Sequence, residues 1–211
     1  MVYDSLSHHR RSIRLRGHDY ADGGAYFVTI CTEAKKCLFG EIVEGEMILN
    51  EAGHIVQDAW DSLPRRFPSL VLDAFQIMPN HVHAVLVLPG PGLEPALAKA
   101  AGAPIIQPSA GCRGRAGPAR VQDSMNPNTL APRHQDTPRG ARTTMGDVVG
   151  AFKSLSTIAV KRLLSCNGTR LLQKNFYEHI IRDAGELEII RDYIVHNPQR
   201  WLEDPENPAC P

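Results

Sequence analysis

From Val82 to Leu88 the chain reads Val-His-Ala-Val-Leu-Val-Leu, an almost unbroken apolar and β-branched run. Such a run has little choice but to form a strand covered by other layers. His81 and His83 flank Val82 at its start. Strand side chains alternate faces, so the two imidazoles point one way while Val82 and Ala84 point the other, into a core. At a rise of roughly 3.3 Å per residue the histidines stand about 7 Å apart along the strand, close enough to share one metal ion. Met78-Pro79-Asn80 is the turn that presents them, and Leu70 to Ile77 is the partner strand. By itself a His-x-His pair is more often the polar face of a half-buried sheet, so a metal reading needs support from elsewhere in the chain.

The remaining elements build round this pair. Ala25 to Thr32 is a strand. Cys37 to Val43 and Glu46 to Leu49 flank Glu44-Gly45 as a hairpin. Asn50 caps a helix from Glu51 to Ser62, in which Ile55, Ala59 and Leu63 recur at helical spacing and which Pro64 ends. Val148, Phe152, Leu155, Ile158, Ala159 and Leu163 share one face of a later helix, closed by Asn167-Gly168. Leu171 to Arg182 reads as extended. Asp183 caps a last helix, about Ala184 to His196, that Pro198 terminates. The expected class is α+β: an antiparallel sheet covered by helices, of the ferredoxin-like kind.

Residues 89–142 break this pattern. The stretch is rich in Pro, Gly, Ala and Arg and lacks periodic apolar positions. It reads as a mostly disordered insertion with a short helix near Glu94 to Ala101, leaving 1–88 and 143–211 as one domain. At 211 residues and 43% hydrophobic, the chain supports one substantial core. Its 23 basic residues balance 23 acidic ones. That argues against a wholly electrostatic nucleic-acid binder but leaves room for a local basic patch. The five cysteines show no C-x-x-C spacing. This fits a reducing, cytoplasmic setting rather than a disulfide scaffold or a cysteine zinc site. No apolar signal region opens the chain and no run of about 18 apolar residues spans a membrane. Four arginines crowd Arg10 to Arg16; they suit a phosphate-contacting arm and equally a solvated leader.

The support for the histidine pair comes from Arg191-Asp192-Tyr193-Ile194-Val195-His196-Asn197-Pro198. Tyr193 and Asn197 lie four apart, on one helical face. The Asn197 amide oxygen is a hard ligand suited to Mg²⁺ or Mn²⁺. Two histidines and an amide leave positions for a phosphate oxygen, the arrangement that metal-assisted phosphoryl chemistry needs. Tyr193, one turn back, is aimed at that phosphate. A phenol with a reference pKa near ~10 attacks only when the phosphate is polarised and its proton has somewhere to go. Tyr177 is the rival nucleophile, but its apolar neighbours Phe176 and Ile180 favour a packing role. Lys153 is a candidate phosphate contact; Trp201 reads as packing the tail.

Met78-Pro79-Asn80-His81-Val82-His83, followed downstream by Asp192-Tyr193-Ile194-Val195-His196-Asn197-Pro198, resembles the HUH single-tyrosine transposases, and most closely the REP-associated tyrosine transposases. Arg11 to Gly17, Gly24 to Thr29, Gly150 to Ser154 and Phe176 to Arg182 extend the resemblance over nearly all of the patterned chain. It implies a sheet-and-helix HUH fold, with His81 and His83 as metal ligands, Asn197 as the third ligand and Tyr193 as nucleophile. The implied substrate is single-stranded DNA folded into imperfect hairpins such as palindromic repeats. The implied reaction is cleavage and rejoining through a 5′-phosphotyrosine with Mg²⁺ or Mn²⁺. It implies Arg11, Arg14 and Arg16 as contacts to the DNA beside the hairpin, and a monomer or homodimer. The 89–142 insertion is longer than the family pattern, and Pro198 disfavours helical geometry at Asn197.

Two other functions stand beside this one. A hairpin-binding protein that no longer cleaves would keep the fold without needing His81, His83, Tyr193 and Asn197 together. A metal phosphohydrolase would activate water and use Tyr193 only for structure. A covalent protein–DNA adduct separates strand transfer from both.

Overall fold

The computed structural model describes residues 22–101, 143–164 and 170–207. The first strand, β1 (Gly24–Cys31), is buried at every position but the last. Both its faces are covered, so apolar side chains are needed on each. The short hairpin β2 (Gly40–Val43) and β3 (Glu46–Leu49) forms a separate ribbon. Its turn places Glu44 and Gly45 at φ of 52° and 80°, as a tight two-residue hairpin requires. Helix α1 (Glu51–Asp61) starts where Asn50 accepts from the Gly53 N–H at 3.0 Å. A single turn, α2 (Leu63–Arg66), follows. Strands β4 (Val71–Ile77) and β5 (His81–Leu88) make the expected antiparallel pair, with a register shift between Leu72 and Phe75.

Of the 89–142 stretch, residues 89–101 are described. They contain the short helix α3 (Pro95–Ala100), capped by Glu94, with Leu97 buried. Residues 102–142 lie outside the described residues, as does the arm carrying Arg11, Arg14 and Arg16. The long helix α4 (Met145–Leu164) precedes the edge strand β6 (Tyr177–Ile181). Pairing of β6 with β1 stops at Tyr177↔Thr29, so less of the 171–182 segment is strand than its composition suggests. Beyond that point Leu172 makes an isolated bridge to Thr32, and the Gln173 and Lys174 carbonyls turn to the Lys153 ammonium. Helix α5 (Ala184–His196) is capped by Asp183 and runs into a 3-10 helix, Pro198–Glu203.

The sheet order is β4-β5-β1-β6, each neighbour antiparallel. With α1 between β1 and β4 and α4 between β5 and β6, this is the split β-α-β arrangement of ferredoxin-like folds. Residue parity sorts β1 between two cores. Tyr26, Val28 and Ile30 join α1 and α4 residues such as Val56, Trp60 and Phe152. Ala25 and Phe27 join Leu187, Ile190 and Ile194 of α5. Helix α5 therefore covers the same sheet face that displays His81 and His83. No helix of the described residues is long and apolar enough to cross a membrane.

Candidate metal and tyrosine site

His81 and His83 leave the same face of β5, and their Nε2 atoms come within 3.0 Å. Both rings are buried. Their outer nitrogens are held from opposite sides. His81 Nδ1 lies 2.8 Å from Asn80 Oδ1. The Asn80 amide is itself oriented, because its Nδ2 donates to the carbonyls of Lys35 and Glu206. Its Oδ1 must therefore accept, which puts the His81 proton on Nδ1 and leaves Nε2 with a free lone pair. His83 Nδ1 lies 2.8 Å from the Thr29 hydroxyl, across the Thr29↔His83 register of β1 and β5. A hydroxyl can donate or accept, so Thr29 lets His83 Nε2 be either a donor or a ligand. Burial drives the His83 pKa down to about 3. Burial, then the neighbouring His83 and Lys35, drive His81 well below the usual histidine range. Both imidazoles are thus neutral at pH 7, the state a metal ligand requires.

A third donor comes from the tail. Asp204 Oδ2 stands 3.8 Å from His81 Nε2, and ligand atoms of His81, His83 and Asp204 all lie within 4.8 Å of one another. Asp204 was not identified from the sequence. It follows the 3-10 helix, in no motif, and only the fold of the tail brings it to the histidines. Its backbone N–H bonds the Trp201 carbonyl, and its Oδ1 accepts from the Glu206 N–H at 2.6 Å. Burial raises its pKa, an effect opposed by hydrogen bonds from the Glu206 backbone and the Asn197 side chain.

Asn197 is buried at the C-terminus of α5, with φ −60° and ψ −40°. Pro198 has not displaced it from helical geometry, because the chain continues directly into the 3-10 helix. Its side chain hydrogen-bonds to both Tyr193 and Asp204. Asn197 Oδ1 and Asp204 Oδ2 are buried acceptors without a hydrogen-bond partner among the described residues. A buried acceptor left unmatched costs about 1–3 kcal/mol. Ligand atoms of His81, His83 and Asp204 within 4.8 Å of one another make a donor set that a divalent cation satisfies. His81, His83 and Asp204 therefore form a group that fits a metal, and Asn197 lies beside Asp204.

Tyr193 reaches the cluster from α5. Its ring centroid is 5.3 Å from that of His83 and 6.1 Å from that of Phe27, which stacks on His83 at 5.4 Å. Burial raises its pKa, Asp204 adds to the rise, and the Asn197 hydrogen bond opposes it. Tyr177 also faces this side of the sheet, edge-on to Phe27 at 6.1 Å. Trp201 borders the site, 6.1 Å from the His81 ring. Lys153 is elsewhere: its ammonium donates to the Gln173 and Lys174 carbonyls and lies 5.6 Å from the Phe176 ring. His179 bonds Glu186 at 2.7 Å, and His196 pairs with Asp192 within α5. Asp73 turns to Arg191 on α5.

No family model matches the chain. An uncharacterized protein of Haemophilus influenzae is 33% identical over 202 residues, covering 96% of this chain and 95% of the relative. Two solved structures are similar. One is described as a REP-associated tyrosine transposase bound to a REP hairpin (TM-score 0.49, 17% identity, 92% of this chain and 74% of that one). The other, from Deinococcus radiodurans, is described as a candidate transposase (TM-score 0.40, 16% identity, 86% and 94%).

Proposed function

We propose that this chain, which belongs to one family with the Haemophilus influenzae protein, is a transposase-like DNA strand transferase. It cleaves and rejoins single-stranded, hairpin-forming DNA through Tyr193. The observation that carries the reading is the meeting of His81, His83 and Asp204, with ligand atoms within 4.8 Å of one another, and the Tyr193 ring beside His83 on one covered sheet face. A pure binding module has no use for buried, unmatched acceptors beside a half-buried phenol.

His81, His83 and Asp204, with Asn197 beside them, would hold Mg²⁺ or Mn²⁺. Such an ion, when bound, polarises a phosphate oxygen and offsets the charge that develops on it. The chain's own residues do the rest. Helix α5 presents Tyr193 from one side, and packing against Phe27 and His83 limits its ring to that approach. Its phenol is protonated at neutral pH, so attack needs a proton acceptor. Asp204, whose charge acts on Tyr193, is a candidate through the carboxylate oxygen that an ion leaves free. The Asn197 amide, bonded to both, favours the phenolate as the proton leaves. The Tyr193 oxygen forms a bond to phosphorus, the bond from phosphorus to the 3′-oxygen breaks, and that oxygen takes a proton to become a free hydroxyl. The phosphodiester energy is kept in the 5′-phosphotyrosine, so the same hydroxyl or another can reverse the step.

The test is a denaturing gel of the full chain with Mn²⁺ and hairpin-bearing single-stranded DNA. A covalent adduct should form with wild type and Tyr177→Phe, and be absent with EDTA, Tyr193→Phe or His81→Ala. Loss with Tyr177→Phe alone would transfer the nucleophile to Tyr177. Tight hairpin binding with no adduct would favour the non-cleaving binder. Arg11, Arg14 and Arg16 are proposed as contacts to the flanking DNA. Lys153 is a weaker candidate for that role, since its ammonium is already shared by two carbonyls and a ring.

A further inference from the structure

Lys35 has entered so far only through its carbonyl, which orients Asn80, and its charge on His81. It stands in the turn after β1, where it and Ala34 are both non-glycine residues in the left-handed region, at φ of 51° and 57°. Strain of that kind persists only where the surroundings over-determine it. Here the surroundings belong to the site. The Lys35 carbonyl accepts from Asn80 Nδ2 at 3.2 Å, and its N–H donates to the Thr32 carbonyl at 3.2 Å. The Thr32 hydroxyl donates to the Lys36 carbonyl at 2.7 Å, and the Thr32 N–H to the Asn80 carbonyl at 2.8 Å. The strained turn is thus tied to the same asparagine that sets the His81 tautomer.

The product of this turn is the position of one ammonium. Lys35 Nζ lies 3.1 Å from Glu206 Oε2 and donates to the Pro205 carbonyl at 3.2 Å. It is near enough to the cluster for its charge to act on both His81 and Asp204. Asp204 belongs to the cluster and the charge of Glu206 acts on both Asp204 and Tyr193, so both carboxylates would repel a phosphate bound there. Lys35 is a cation facing them. Its side chain is 42% exposed and that of Glu206 30%, and an ion pair this open is weakly held. A flexible lysine stem lets the charge exchange one anion for another with little rearrangement.

We propose that Lys35 is the substrate-contacting cation of this site, held on Glu206 and the Pro205 carbonyl in the free protein and transferred to a phosphate oxygen when a single strand crosses the His81, His83 and Asp204 cluster. The substrate class rests on the proposed function; the choice of nucleophile does not enter.

The experiment is fluorescence anisotropy of a labelled, mixed-sequence, hairpin-free single-stranded oligonucleotide with the full chain and Mn²⁺, over a range of salt. Each phosphate contact on a single strand adds about 0.7 to the slope of log affinity against log salt. Lys35→Ala is expected to flatten the slope by about that amount. Lys35→Arg should keep it, as should Lys36→Ala, which alters the exposed neighbour on the same turn. Glu206→Gln should tighten binding, and the gain should vanish when it is combined with Lys35→Ala. An unchanged slope in Lys35→Ala, or equal flattening by Lys36→Ala, would overturn the inference. Tyr193→Phe, measured alongside, should keep the wild-type slope. If no adduct ever forms but the Lys35 slope changes, strand transfer fails and this contact stands. If the adduct forms and the slope does not change, the contact alone fails.

Discussion

His83 illustrates how a single side chain carries the cost of the site. An unfolded histidine titrates near 6.5, whereas burial drives folded His83 down to about 3. Between those values the unfolded chain binds a proton that the folded chain refuses, so stability rises with pH across that window. The full stability is present above about 6.5 and is lost as the pH falls toward 3. Thermal unfolding at about pH 7 and about pH 4.5 should therefore differ in wild type and differ less in His83→Asn. Equal acid sensitivity in both would assign it to other groups. The third ligand is a second question at this scale. Removing an outer-shell partner of a metal ligand commonly costs 10–100-fold in affinity, so loss of a true ligand should cost about a hundredfold or more. Titration calorimetry with Mn²⁺ should give that loss for Asp204→Asn. A larger loss for Asn197→Ala would make the asparagine the primary ligand and the aspartate its support.

At the scale of elements, α1 and α5 each depend on a contact that helix propensity does not anticipate. Gly53 lies in the first turn of α1, where an alanine would ordinarily gain about 1 kcal/mol. A Cβ at that position would meet the Phe39 carbonyl oxygen at 2.2 Å. Gly53→Ala should therefore destabilise, and chemical denaturation should show a lower midpoint; a raised midpoint would mean that the β2 entry yields easily. Helix α5 is tied to β4 and α3 through Arg191. Its guanidinium bonds both oxygens of the buried Asp73 carboxylate, at 2.8 and 2.6 Å, and the Ala100 carbonyl at 2.9 Å. The Asp73 hydrogen bond is the main reason the Arg191 pKa is raised. Arg191 keeps Glu188 and the Ala100 carbonyl as partners, so Asp73→Ala removes charge-assisted hydrogen bonds without stranding the guanidinium and should cost about 2 kcal/mol of folding stability. Because the same helix carries Tyr193, adduct formation should fall as well.

For the whole molecule, the site is a junction of distant segments: β1 supplies Thr29, β5 the histidines, α5 Tyr193 and Asn197, and the tail Asp204. A ligand that binds only the folded chain stabilises it by about 2.7 kcal/mol at a hundred times its dissociation constant. Mn²⁺ should therefore raise the melting temperature of wild type and leave that of His81→Ala unmoved. An equal rise in both would indicate binding elsewhere.

Most of the helices and strands were legible because their signals are local. An almost unbroken apolar run marked β5, strand geometry set His81 and His83 on one face, Asn50 and Asp183 marked the starts of α1 and α5, and a four-residue spacing joined Tyr193 to Asn197. The short helix at Pro95–Ala100 was legible too, although its packing through Leu97 was not. The orientation of Asp73, the length of β6 and the presence of Asp204 at the histidines had no such signal. Each depends on partners far away in the chain: Arg191 on another element, the Lys153 ammonium that draws the 173–174 carbonyls off the sheet, and a tail that folds back over β5. Backbone periodicity fixes the direction of a side chain relative to its own element. Only the packing of elements against one another decides what that side chain meets.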